Sequence, residues 1–143
     1  VPAHVEGDAL DALVPGAVEE LLRYDPPSHY QGRVTMKDVT WYGQTVPSGS
    51  RVLLLTGSTG RDEREFSDRP EAFDIHRRIE RHLGFGHSRH ICLGANLARW
   101  ELRATFKELA PHLVNLEAVG PLVRHPDLHV PAIHTFKVRW TGE

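Results

Sequence analysis

Between Val14 and Tyr24 the apolar residues Val14, Val18, Leu21 and Leu22 return at helical spacing. Pro15 suits a first helical turn and Pro26-Pro27 bars continuation, so the spacing predicts one short amphipathic helix there. The period then changes. Arg33-Val34-Thr35, Val39-Thr40-Trp41-Tyr42 and Arg51 to Thr56, separated by Tyr42-Gly43-Gln44 and Pro47-Ser48-Gly49 turn chemistry, predict short strands of one small antiparallel sheet. From Gly57 to Arg81 no period persists, which predicts a meandering surface segment with at most a helical turn. Leu83 to Gly94 is glycine-rich, and Leu93, Leu97, Trp100 and Ala104, then Phe106, Leu109 and Leu113, step at three and four residues. A loop therefore feeds a long helix, which Pro111 should end or kink. Leu113 to Val119, Leu128 to His134 and Phe136 to Trp140 read as strands. The expected class is α+β, with residues 1–143 forming part of a single domain and no internal repeat.

The 143 residues are 40% hydrophobic and 25% charged, ordinary for a chain that buries one modest core. The net charge of −2 gives no basic excess for nucleic acid or an anionic membrane. The longest aliphatic run, Val52 to Leu55, falls far short of the roughly 20 residues that span a bilayer. One cysteine cannot form an internal disulfide, so a cytoplasmic setting is the expectation. The sequence opens at Val1 rather than Met and runs straight into helical sequence, which suggests a fragment.

The candidate chemistry centres on that cysteine. Cys92 lies at the edge of a helix, where unpaired N–H groups and the positive end of the dipole favour thiolate over thiol. Standing alone, such a residue is more often a small buried apolar side chain than a ligand. The run from Leu83 to Arg99, however, resembles the cysteine-ligand loop of cytochromes P450, whose pattern is Phe-x-x-Gly-x-(Arg/His)-x-Cys-x-Gly. Phe85, His90, Cys92 and Gly94 fall on that pattern, while Ser88 stands where the family usually has Gly. A serine there must either keep φ negative or accept strain. Glu20-Leu21-Leu22-Arg23 resembles the family's Glu-x-x-Arg helix motif, and Phe73-Asp74-Ile75-His76-Arg77 resembles the segment whose arginine completes a buried charge cluster.

The resemblance implies the C-terminal portion of the mainly helical P450 fold: motif helix, small sheet, meander, cysteine loop, long helix and terminal hairpin. It implies haem b held by the Cys92 thiolate, with Phe85 and Gly94 beside the cofactor and Arg33 and His90 on its propionates. Glu20, Arg23 and Arg77 would form the charge cluster. His29, Gln31, Ala132 and Ile133 would face a small organic substrate, and Arg99 would flank the face where a ferredoxin docks. The implied reaction inserts one oxygen atom from O2 into the substrate. The family's oxygen-activation helix precedes the region covered, so the uncovered faces of Leu97, Trp100 and Phe106 should sit in a larger assembly or self-associate. Two other readings stay open. One is a degenerate relative acting through binding or protein contacts without catalysis. The other is a zinc module drawn through His82, His87, His90 and Cys92, although their spacing matches no closed zinc knuckle.

Overall fold

The computed structural model describes residues 7–127 and 129–141. Helix α1 spans Asp8–Tyr24 and buries Leu10, Val14, Val18 and Leu22, one residue per turn. This apolar stripe reaches back past Val14, so the helix begins earlier than the sequence predicts and holds Pro15 in its body. Pro15 leaves the carbonyl of Asp11 without its helical donor. Asp11 lies on the exposed side, where water serves instead. Phe85, Leu102, Phe106 and Ala110 pack against the stripe. Each fully buried aliphatic side chain contributes about 1.5–3 kcal/mol, so this contact is the main apolar core.

The strands do not form one sheet. β1 (Gln31–Val34) pairs antiparallel with β4 (Arg51–Leu54), in register Gln31↔Leu54 to Val34↔Arg51. Between them, β2 (Val39–Trp41) and β3 (Gln44–Val46) make a separate hairpin. The sequence reading placed Tyr42 in the first strand and Gln44 in the turn. In the structure Tyr42 (φ 51°) and Gly43 (φ 78°) alone make the turn. Two positive φ values in succession define the tight hairpin type that matches strand twist, which frees Gln44 to start the return strand.

Thr56–Thr59 forms the single helical turn α2, after which the chain meanders to the cysteine loop. Helix α3 spans Ala95–Leu109, and Pro111 falls in a 3-10 segment, Ala110–Asn115, that ends it. The predicted strand from Leu113 therefore begins only at Leu116. β5 (Leu116–Ala118) pairs with β8 (Val138–Trp140), and β6 (Val123–Arg124), which carries too short an apolar run to predict, pairs with β7 (Ile133–Thr135). The Leu128 end of the predicted Leu128–His134 strand lies outside the described residues. Among the described residues no helix is long and apolar enough to cross a membrane.

α3 has two unlike faces. Leu97 and Trp100 are 59% and 69% exposed, as expected, but Phe106 is partly buried against the α1 stripe. The expectation of an uncovered Phe106 is thus corrected: it faces inward with Leu102.

Candidate functional site

The cysteine loop is a short, self-bonded turn rather than a ladder. Leu83 accepts from the Gly86 N–H at 2.9 Å, and the Phe85 carbonyl accepts from the Cys92 N–H at 2.8 Å, so the chain returns on itself. Gly86 has φ +77°, and a Cβ there would come within 2.8 Å of the His90 carbonyl oxygen. Only glycine fits. Ser88 opens a 3-10 turn, Ser88–His90, with φ 55°, so the serine in the usual glycine place accepts the left-handed conformation and its strain. The Cys92 carbonyl then accepts from the Ala95 N–H at 3.2 Å, where α3 begins. Cys92 is exposed and free, not a buried apolar thiol. Gly94 lies beside the sulfur, where a Cβ would stand in ordinary contact with Sγ at 4.0 Å. The sulfur, Gly94 and the neighbours Ile91, Leu93 and His90 are all exposed, so Cys92 is open to a ligand.

The charge cluster assembles as the sequence reading placed it. Glu20 and Arg23 are 0% and 1% exposed and meet through two contacts, Nε to Oε2 at 2.6 Å and Nη2 to Oε1 at 2.8 Å. Arg23 also donates to the Gly60 carbonyl, to that of Pro70 at 2.9 Å and to that of Ala72 at 2.9 Å. Arg77 reaches Glu20 Oε1 at 3.4 Å and donates to the carbonyls of Asp68 and Arg69 at 2.5 and 2.9 Å. The Asp74 N–H closes the set on Glu20 at 2.7 Å. Burial pushes the Glu20 carboxyl up, but the Arg23 and Asp74 hydrogen bonds outweigh it and hold the group below the ordinary glutamate value. A buried ion pair survives only when its remaining donors and acceptors are met, and here three meander carbonyls meet them.

A second carboxylate escaped the sequence reading. Glu19 accepts from Arg99 at 2.7 Å (Nε to Oε1) and 2.9 Å (Nη2 to Oε2), and Arg103 lies 3.8 Å away. It also meets His82 Nε2 at 3.0 Å. His82 Nδ1 accepts from the Gly84 N–H at 3.0 Å, which places the ring proton on Nε2 as the donor to Glu19. Burial raises the Glu19 carboxyl, yet the Arg99 and His82 hydrogen bonds bring it below its ordinary value. Arg99, expected to flank a docking face, donates to Glu19 and lies 4.7 Å over the Phe85 ring. Its exposure falls to 26%. The available signal was the pair of basic residues bracketing the cysteine loop, which composition alone does not single out.

The remaining predicted residues are not drawn into one cluster with Cys92 by any hydrogen bond. Arg33 donates to the Gly32 carbonyl at 2.7 Å, and His90 is exposed in the loop. His29 meets Asp25 at 3.2 Å, and Gln31 donates to Ser28 Oγ at 2.7 Å. The His29 N–H donates to the His129 carbonyl at 2.9 Å, which brings the segment before β1 beside the turn before β7. An open cleft of 660 Å³ lies there, lined by Tyr30, His125, Asp127, Val130 and Ala132 among others. Ala132 is on that cleft; Ile133, in β7, is 55% exposed. Among the described residues no group of three or more His, Cys, Asp or Glu is arranged to hold a metal ion.

A loop that presents the cysteine ahead of a helix, together with a Glu-x-x-Arg cluster on α1, is similar to the arrangement found in haem-thiolate proteins. A family model for Cytochrome P450 matches residues 12–110, and the chain belongs to the cytochrome P450 family. The putative cytochrome P450 126 of Mycobacterium tuberculosis is 43% identical over 109 residues, covering 76% of this chain and 26% of that protein. Cyclomarin C epoxidase CymV of Salinispora arenicola is 43% identical over 122 residues, covering 85% and 31%. A solved cytochrome P450 from Chondromyces apiculatus superposes with a TM-score of 0.85 at 39% identity, covering 92% of this chain and 34% of that one. The chain thus spans about a quarter to a third of the length of the relatives it matches. The family's enzymes are haem monooxygenases, and the helices plus small antiparallel ladders agree with the C-terminal portion of that fold.

Proposed function

We propose that the chain provides the haem-thiolate portion of a monooxygenase, with Cys92 as the axial ligand to haem b. The carrying observation is the exposed Cys92 sulfur beside Gly94, without a hydrogen-bond partner among the described residues, on a loop held by its own backbone hydrogen bonds. When bound, haem would supply the reductive activation of O2, and the thiolate would donate electron density to the iron. Gly94 leaves room for the amides beyond Cys92 to temper that donation. The Phe85 carbonyl accepts from the Cys92 amide and so ties the cysteine back to the start of the loop. Arg33 and His90, neither engaged with a carboxylate among the described residues, would donate hydrogen bonds to the negatively charged propionates.

His29, Gln31, Ala132 and Ile133 face the substrate in this reading. The cleft at Ala132 and the His29 to His129 hydrogen bond support a shared surface there, suited to a small organic molecule. One oxygen atom would enter that molecule, with electrons arriving from a ferredoxin and its reductase in a cytoplasmic setting. Residues 1–143 act as part of one domain, completed by the portion its relatives carry beyond it.

Titration of the chain with haemin tests the reading. The expected result is weakly held haem and, on reduction under CO, the red-shifted Soret band that thiolate ligation gives. Cys92→Ser should abolish that band. An unchanged band in Cys92→Ser would remove Cys92 as ligand, and no Soret binding at all would favour a degenerate relative that acts through contacts.

A further inference from the structure

We infer that Glu19 is a positioning residue for Cys92, clamping the entrance and the exit of the cysteine loop through one carboxylate; this rests on reading Cys92 as the iron ligand. At the entrance, Glu19 accepts from His82 Nε2 at 3.0 Å, and the far side of the same ring accepts from the Gly84 N–H at 3.0 Å. The next residue, Phe85, receives the Cys92 N–H at 2.8 Å. At the exit, Glu19 takes both guanidinium contacts of Arg99, on the helix whose first N–H, from Ala95, binds the Cys92 carbonyl. Arg99 in turn lies over Phe85, which closes the circuit across the loop.

The loop cannot hold itself to the same degree. Its internal order is a few turn hydrogen bonds around two positive-φ residues, Gly86 and Ser88, with Cys92 and its neighbours exposed. Short exposed turns of this kind open at low free energy. Glu19 lies on α1, outside the loop, beside the buried stripe. It therefore transfers the rigidity of the helix pair to the sulfur. Bidentate Arg–carboxylate contacts add direction as well as energy, because a planar fork fixes orientation. Arg103, 3.8 Å from Oε1, adds charge but no orientation.

A purely structural role would be to join α1 to α3, and the two roles separate by where motion increases. Amide hydrogen exchange of the full chain, without haem, reads this directly. Glu19→Ala should speed exchange of the Gly84 to Cys92 segment by about tenfold, as loss of one charge-assisted anchor gives. Exchange in the β1–β4 ladder and in α3 beyond its first turn should hold. Glu19→Gln keeps an acceptor oxygen without the charge and should fall between. If Glu19→Ala does not fold, Glu19→Gln together with His82→Ala, which frees the entrance alone, gives the same reading. Unchanged loop exchange in a folded variant, or a uniform rise across α1, α3 and loop, would overturn the inference. In the haemin-loaded chain, Glu19→Gln should lower the share of thiolate-type carbonyl band. A wild-type chain that never shows this band sinks the haem reading while leaving the exchange result to stand or fall by itself.

Discussion

Adjacent carboxylates on α1 serve two regions of opposite character. Glu20 points into the meander and is fully buried among Arg23, Arg77 and the Asp74 amide; Glu19 points to the cysteine loop and stays 22% exposed. The meander has almost no regular structure, yet its carbonyls at Gly60, Pro70 and Ala72 and its Asp74 amide bind the cluster. The cysteine loop precedes a regular helix, yet it leaves Leu93 fully exposed and Trp100 69% exposed. Stability and prospective chemistry are thus held by neighbouring residues but through different economies of contact. The buried cluster is complete in itself, while the loop offers surfaces to something else.

The comparison breaks most sharply at the buried end. Arg23→Ala or Glu20→Ala strands a buried charge and should cost about 3–5 kcal/mol, read as a lower urea midpoint. Glu19→Ala, with solvent access, should cost less than half as much. Equal losses from the two glutamates would show that burial does not distinguish the regions.

Next in size is Gly60→Ala. A Cβ at Gly60 would lie 1.9 Å from the Arg23 carbonyl oxygen, so backbone must move and the Arg23 contacts must loosen. A loss of about 1–3 kcal/mol is expected, as for overpacking elsewhere. Thermal denaturation measures it.

Acid sharpens the comparison by titration. Glu19 and Glu20 both have carboxyls held below the ordinary value, so their contribution is fully present above the unfolded pKa of about 4.3. It is lost as pH falls through the depressed folded values. Urea midpoints should therefore fall between about pH 4.3 and lower pH, and Glu20→Gln should flatten that fall. A pH-independent midpoint across this range would contradict both shifts.

Ser88→Gly acts on the loop alone. Relief of the left-handed serine, partly offset by greater freedom of the unfolded glycine chain, should stabilise by roughly 0.5–1 kcal/mol. The smallest effect belongs to the surface. Arg81 pairs with Glu65 at 2.9 Å in full solvent, and Arg81→Ala should leave the thermal midpoint unchanged within error.

The sequence made the chemistry-bearing parts legible because they are local or fixed in spacing. Glu20 and Arg23 are three apart on one helix and Cys92 follows a glycine-rich loop, but spacing alone marks such residues on many helices, and the resemblance to the family's motifs is what singled them out. Arg77 was likewise reached through family resemblance rather than spacing. What stayed hidden depended on contacts far apart in the chain: Glu19 meets His82 and Arg99 across 63 and 80 residues. The start of α1 was missed because Pro15 reads as a first-turn residue, whereas burial of Leu10 extends the helix past it. β3 was hidden by a turn of only two residues, and β6 by its two-residue length. The division of the strands into separate ladders follows from β1 skipping the hairpin to reach β4, a choice no local pattern records.

Arg23 has a consequence for the order in which the chain acquires shape. Its guanidinium gathers carbonyls 37, 47 and 49 residues further on, beyond the β1–β4 ladder and the β2–β3 hairpin, in a meander that has no ladder of its own. During synthesis from the N-terminus, α1 emerges complete while Arg23 still lacks those acceptors, and stays hydrated until Ala72 has cleared the ribosome. Only then can the charge leave water. Closing so long a loop onto one side chain makes the meander a late, all-or-none acquisition. Until the later partners of α1 arrive, its stripe of Leu10, Val14, Val18 and Leu22 is the exposed apolar surface that a holding chaperone would meet.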